Sequence, residues 1–207
     1  MSENGRALGL ETAERMAAEI MERLRPHCSR IEVAGSIRRR REIVNDIDLV
    51  AIPQMTSKWT MFSPGDVTET DFADELKEIV VPANFGQKIL RGFTRVSFWK
   101  SVGPVSVDVY IAEPETWAGI FLIRTGSAEH NIWLASRAKS CGGTLHADGS
   151  GLELPGQYDP LAQRTINMLR VKAESEERIF SGLGLPTPNP EEREVRNGKP
   201  VWMGGAA

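Results

Sequence analysis

Gly35-Ser36-Ile37-Arg38-Arg39-Arg40-Arg41-Glu42-Ile43-Val44-Asn45-Asp46-Ile47-Asp48-Leu49-Val50 decides how this 207-residue chain is read. It opens as a Gly-Ser turn, continues as a basic run and ends as a strand carrying two acids. Strand side chains alternate between faces, so Asp46 and Asp48 share one face while Ile47 and Leu49 take the other. Two carboxylates one pleat apart repel, and neither is cheaply buried. A divalent cation resolves that conflict, and hard oxygen ligands suit Mg²⁺. Upstream, Gly35 and Ser36 offer backbone N–H groups and a hydroxyl, and the arginines offer guanidinium forks that suit a polyphosphate. Four arginines in a row are usually a solvated face, and two of these are read as no more than that, while at least one is expected on phosphate. A metal site and a phosphate site this close together are the parts that nucleotidyl transfer needs.

Before this stretch, Ala13, Met16, Ala17, Ile20, Met21 and Leu24 recur at helical spacing, which predicts an amphipathic packing helix over residues 11–25 closed by Pro26. Arg30 to Ala34 alternates as a strand and delivers Gly35-Ser36 at its C-terminal end, the end at which ligands bind in α/β sheets. After it, residues 53–69 read as a long loop. Thr68-Glu69-Thr70-Asp71 resembles a capping box opening a helix with Phe72, Leu76, Ile79 and Val80 on one face, ended by Pro82. A strand-like run follows over 88–98. Val105 to Ile111 then alternates cleanly, with Ser106, Asp108 and Tyr110 on one face and the valines and Ile111 on the other. A lone Asp on a strand is usually a solvent-facing residue, but Asp108 is also the third acid that a two-metal site would need to hold its ions roughly 3.5–4 Å apart.

Glu113-Pro114-Glu115 marks a boundary and predicts two domains, 1–112 and 113–207. Beyond it the pattern predicts helices over 116–123 and 128–141, the second stopped by Gly142-Gly143. Short strands follow over 144–172, then a helix over 174–182. The Pro-rich tail Leu185–Pro190 is expected to be extended and docked, or partly disordered towards Ala207.

Composition narrows the class. Hydrophobic residues make up 41% and charged residues 26%, with no run long enough to span a membrane, so no membrane partner is expected. Met1-Ser2-Glu3-Asn4-Gly5-Arg6 carries no apolar signal. Cys28 and Cys141 have no metal-ligand spacing and read as reduced thiols, which predicts a cytoplasmic protein, or one in a viral or host compartment if virus-encoded. The net charge of −3 argues against electrostatic coating of nucleic acid, although a local basic patch suffices for a small footprint.

Gly-Ser-x-Arg-Arg followed by Asp-x-Asp resembles the palm signature of the family X DNA polymerases. Val107-Asp108-Val109 looks like that family's third-acid strand. Thr125-Gly126-Ser127 with Asn131 looks like its thumb motif, and Glu176 to Pro186 with Pro190 to Glu194 is similar to its C-terminal segment. The resemblance implies an α+β fold. It comprises a nucleotidyltransferase palm with a mixed sheet and helices on one side, followed by a small α+β thumb. It implies that Asp46 and Asp48 bridge two Mg²⁺ ions (Mn²⁺ substituting), and that Asp108 binds the catalytic ion and takes the proton of the primer 3′-hydroxyl. Ser36 and Arg39, beside Gly35, would hold the β- and γ-phosphates. Gly126 and Ser127 would lie beside the sugar, Asn131 would hydrogen-bond the base in the minor groove, and Thr125 belongs to the same nucleotide-binding motif.

The chain departs from the family pattern at Ile123-Arg124, where an aromatic pair is common, so rNTP as well as dNTP is an expected substrate. Ser106 stands where an arginine is common. About thirty residues precede the palm, too few for the family's lyase and fingers domains, so lyase activity is expected to be missing. The implied function is a gap-filling, DNA-directed DNA polymerase of repair acting on primer-template or gapped DNA, with repair or end-joining partners unspecified. The alternatives are an untemplated or small-molecule, protein or RNA nucleotidyltransferase, and a catalytically idle nucleic-acid-binding module. DNA contacts would fall to scattered basic residues, namely Lys88, Arg91, Arg95, Lys100, Arg137 and Lys139, giving affinity that drops steeply with salt.

Overall fold

In the computed structural model, the residues described are 7–54, 56–57, 67–68, 72, 94–100, 103–159, 164–166 and 168–203. The chain divides into two compact units, Met1–Ile37 with Arg41–Ala112, and Arg38–Arg40 with Glu113–Ala207. It is a mixed α+β chain.

The first unit holds β1 (Leu8–Gly9), α1 (Leu10–Leu24), β2 (Cys28–Val33), β3 (Ile43–Val44), β4 (Asp46–Pro53), β5 (Thr56–Ser57), β6 (Val67–Thr68), β7 (Thr94–Lys100) and β8 (Gly103–Ile111). A one-turn helix, α2 (Gly35–Arg38), leads out of β2. The main sheet has the order β2-β4-β8-β7. Only β4 and β8 run parallel; β2 and β7 pair antiparallel at the two edges. The six helix positions at three-four spacing, Ala13 to Leu24, are the buried face of α1. They join one core with Ile31, Ile47, Leu49, Ala51, Val107 and Val109. Full burial of each larger side chain contributes roughly 1.5–3 kcal/mol, so this contact turns one face of the sheet inward and leaves the other for chemistry.

The α-helix ends at Leu24, just ahead of Pro26 as expected. Arg25–His27 continues as a 3₁₀ turn, because a proline in a first turn loses an N–H that has no intrahelical partner there. The predicted long loop over 53–69 is corrected by β5 and β6, which pair antiparallel. Of the helix predicted after Thr68, only Phe72 is described; it is helical and buried in the core. The rest of that helix, and residues 88–93 of the predicted strand, lie outside the described residues.

The second unit carries α3 (Trp117–Thr125), α4 (Ala128–Ser140), β9 (Thr144–His146), β10 (Gly151–Leu154), β11 (Gln157–Asp159), β12 (Arg164–Ile166), β13 (Leu169–Val171), α5 (Glu176–Gly182), β14 (Val195–Arg196) and β15 (Lys199–Pro200). Strands β13-β10-β9 form an antiparallel sheet. Trp117, Leu122, Leu134, Leu152, Ile179, Phe180 and Leu183 are buried in this unit.

Residues 185–189 form neither helix nor strand, and Pro188 is buried with its carbonyl accepting from Arg193 Nε at 3.4 Å, so the Pro-rich segment is extended and docked as expected; beyond it the chain forms a hairpin instead of losing order. Val195 pairs with Pro200 and Arg196 with Lys199. Asn197 (φ 53) and Gly198 (φ 74) form the turn between them, the positive-φ pair that matches strand twist in a two-residue hairpin. Trp202 then packs edge-on against Trp133 at 5.7 Å and Phe180 at 6.2 Å. The Asn-Gly pair was a hairpin signal that the Pro-rich reading overlooked.

Candidate active site

On the sheet face turned away from α1, register sets the acids. Asp46 pairs with Ser106, Asp48 with Asp108 and Val50 with Tyr110 across the parallel β4–β8 ladder. Directly paired residues of neighbouring strands carry side chains on the same face. Three acids therefore share one patch of sheet, with Asp48 and Asp108 side by side. On the far edge, β7 places Arg95 in register with Asp108 and Ser97 with Ser106. Asp108 is buried at 6% exposure, whereas Asp46 and Asp48 are half-buried.

Gly35 opens the turn above this face. Its φ is +56, and a Cβ there would overlap the Asp48 carboxylate. Glycine is required twice over, for the left-handed backbone and for the close approach. Ser36 follows, and its Oγ is buried with no hydrogen-bond partner among the described residues. Ala34 N donates to Asp48 O at 2.8 Å and Arg41 N to Ser36 O at 3.0 Å, which fixes the turn against β4. The turn releases through Arg40, whose φ is 54.

Among the described residues no three His, Cys, Asp or Glu side chains form a ready-made metal cage. The donor set nevertheless fits Mg²⁺, which binds through one or two carboxylates while keeping waters and substrate phosphates. Two in-register carboxylates, with a third one pleat away, supply that set.

In the second unit the basic run meets its partners. Arg38 makes two 2.8 Å bonds to the Glu176 carboxylate, and its Nη1 also donates to Thr125 Oγ1 at 2.6 Å. Its guanidinium lies 3.7 Å from the Phe121 ring centroid. Arg193, at 1% exposure, grips the same carboxylate at 2.8 and 2.9 Å. Burial would raise the Glu176 pKa, but the hydrogen bonds and charges of Arg193 and Arg38 outweigh it and hold the carboxyl near 2. Arg39 donates to Glu194 at 3.0 Å and to Thr125 O at 2.5 Å.

The thumb-like motif residues also have local work. Gly126 N donates to Leu122 O at 3.0 Å and closes α3. Ser127 is the N-cap of α4, its hydroxyl accepting from His130 N at 3.1 Å. Asn131 Nδ2 donates to Ile123 O at 2.7 Å. His130 is fully buried. Burial first, then the charge of Arg193, push its pKa down to about 4, against the pull of the neighbouring Asn131 amide and Glu176. Neutral imidazole is its folded form at pH 7.

Of the proposed DNA contacts, Lys88 and Arg91 lie outside the described residues, and Arg95 and Lys100 lie on β7. Arg137 donates its Nε to Leu183 O at 3.2 Å, a packing role, and Lys139 is exposed on α4. The reading from sequence missed the Arg38–Glu176–Arg193 cluster and the burial of His130. Arg38, Glu176 and Arg193 stood in the motifs and His130 beside one, but the pairing of the three charged residues spans up to 138 residues and leaves no local period.

Residues 120–194 match the DNA polymerase beta thumb family. The structure is similar to Leishmania infantum polymerase beta, solved as a ternary P/T complex. The TM-score is 0.66 and the identity 20%, over 93% of this chain and 78% of that one. Comparison with curated proteins gives no match. Among the described residues no helix is long and apolar enough to cross a membrane.

Proposed function

From the premise that this chain is family X polymerase-like, with a palm and thumb of polymerase beta type, we propose that it extends a DNA primer 3′-hydroxyl in short gaps by nucleotidyl transfer. The observation that carries the reading is the register of β4 with β8, which sets Asp48 beside Asp108 and Asp46 one pleat away on the non-core face.

Asp46, Asp48 and Asp108 would hold two Mg²⁺ ions, with Mn²⁺ able to substitute. Bound there, such ions polarise a phosphoryl oxygen, ease deprotonation of the attacking hydroxyl and offset charge on the leaving group. Asp108 would accept the proton of the primer 3′-hydroxyl as the bond from that oxygen to the α-phosphorus forms and the bond from the α-phosphorus to the pyrophosphate oxygen breaks. Ser36 donates its hydroxyl, otherwise unpartnered among the described residues, to a β- or γ-phosphate oxygen. Arg39 serves the same phosphates, which requires it to exchange its bond to Glu194 for one to the nucleotide. Donors aimed at the departing pyrophosphate stabilise charge where it develops. Thr125, Gly126, Ser127 and Asn131 border the sugar and base. Asn131 would trade its bond to Ile123 O for the base edge.

Primer extension on a one-nucleotide gapped duplex with Mg²⁺, each dNTP and rNTP supplied singly, tests the proposal beside Asp108→Ala. Incorporation of the complementary nucleotide alone, abolished in the variant, is the expected result. Addition regardless of template moves the protein to a terminal transferase. No extension from any primer, with Mg²⁺ and nucleotide still raising the melting temperature, points to another acceptor.

A further inference from the structure

Tyr110 lies two residues beyond Asp108 on β8, so both side chains leave the same face. It is buried at 7% exposure. Its hydroxyl sits 3.5 Å from Asp108 Oδ2. Its register partner on β4 is Val50, which is fully buried. The face therefore grades from Asp46 and Ser106, through Asp48 and Asp108, to an apolar row of Val50 and Tyr110. Phenylalanine would fill that row equally well, and a buried phenol hydroxyl costs free energy unless it is partnered. A separation of 3.5 Å is long for O–H···O, as expected where a hydrogen bond at a reaction site tightens only on loading.

We propose that Tyr110 is a positioning residue for Asp108: its hydroxyl donates to Oδ2 and restricts rotation of the carboxylate that meets the divalent cation. This deepens the proposed metal-dependent reading and rests on it. Tyr110 touches neither nucleotide nor primer in this role. It acts through Asp108 alone.

The test is Tyr110→Phe, which removes one oxygen. Binding of Mn²⁺ without nucleotide or DNA is followed by electron paramagnetic resonance, thermal unfolding is followed in EDTA, and kcat and KM for dNTP are measured on the gapped duplex. Removing a hydrogen-bond partner of a metal ligand typically costs about 10–100-fold in metal affinity or activity. We therefore expect Mn²⁺ to bind about tenfold more weakly and kcat to fall comparably. The KM for dNTP and the EDTA melting temperature should stay close to wild type. In an Asp108→Asn background the same change should have no further effect on Mn²⁺ binding. Equal Mn²⁺ affinity in wild type and Tyr110→Phe overturns the proposal alone, and so does a second, additive loss in the Asp108→Asn background. Absence of Mn²⁺ binding in the wild type overturns the metal-dependent reading and this proposal together.

Discussion

The acid face of the first unit and the arginine cluster of the second concentrate charge by opposite means. Asp46, Asp48 and Asp108 are like charges gathered on one face by backbone register. Nothing in their mutual interaction favours the arrangement, and the core beneath them holds it in place. Arg38, Glu176 and Arg193 are opposite charges joined as two bidentate pairs, four bonds of 2.8–2.9 Å in all. There the side chains themselves hold the arrangement. The first region stores a conflict that a ligand can relieve, and the second has relieved its own.

If that contrast is right, substitutions in the two regions separate activity from stability. The largest effect is expected from Asp48→Asn. Gapped-primer incorporation should fall by about a thousandfold or more, roughly 4 kcal/mol or above in the barrier at 1.36 kcal/mol per decade. Its melting temperature in EDTA should hold or rise, because one repelling charge is gone. A marked loss of stability in this variant would break the comparison.

Glu176→Gln should do the reverse in kind. It leaves Arg193 buried without its countercharge, and removing one member of a buried ion pair typically costs about 3–5 kcal/mol. Urea unfolding measures this directly. A loss below about 1 kcal/mol, the range of an exposed pair, would show the cluster to be ornamental to stability.

His130 sharpens the contrast through pH. Its pKa is about 4 in the folded chain against the usual 6.5, so below about pH 6.5 the unfolded chain takes up a proton that the folded chain refuses. Stability present at pH 7 should therefore drain away as pH falls from about 6.5 towards about 4, by about 3 kcal/mol in all. The Glu176 contribution is lost in a separate, lower window, from about 4.5 towards about 2. Unfolding free energy measured from pH 7 to 4 should lose most of its slope in His130→Phe. An unchanged slope would assign the loss to other groups.

The two regions also differ in how far they could be read from sequence. The shared face of Asp46 and Asp48, the packing face of α1 and the punctuation around α4 follow from periods of two and 3.6, which are local properties. The Asn197-Gly198 hairpin was equally local and was missed because prolines nearby argued for an extended tail. The ladder inside 53–69 was missed because two-residue strands carry too few side chains to show alternation.

What the sequence determined by itself is therefore the local chemistry: which residues alternate onto an acidic face, where glycine must stand, and which segments form the first unit's helix and strands. Tertiary structure alone decided that Asp48 stands in register with Asp108, that Tyr110 backs that pair, and that Glu176 is shared by Arg38 and Arg193. Register depends on how α1 and the strands bury their apolar faces together. The arginine cluster depends on side chains meeting across 138 residues, where no periodicity carries the information.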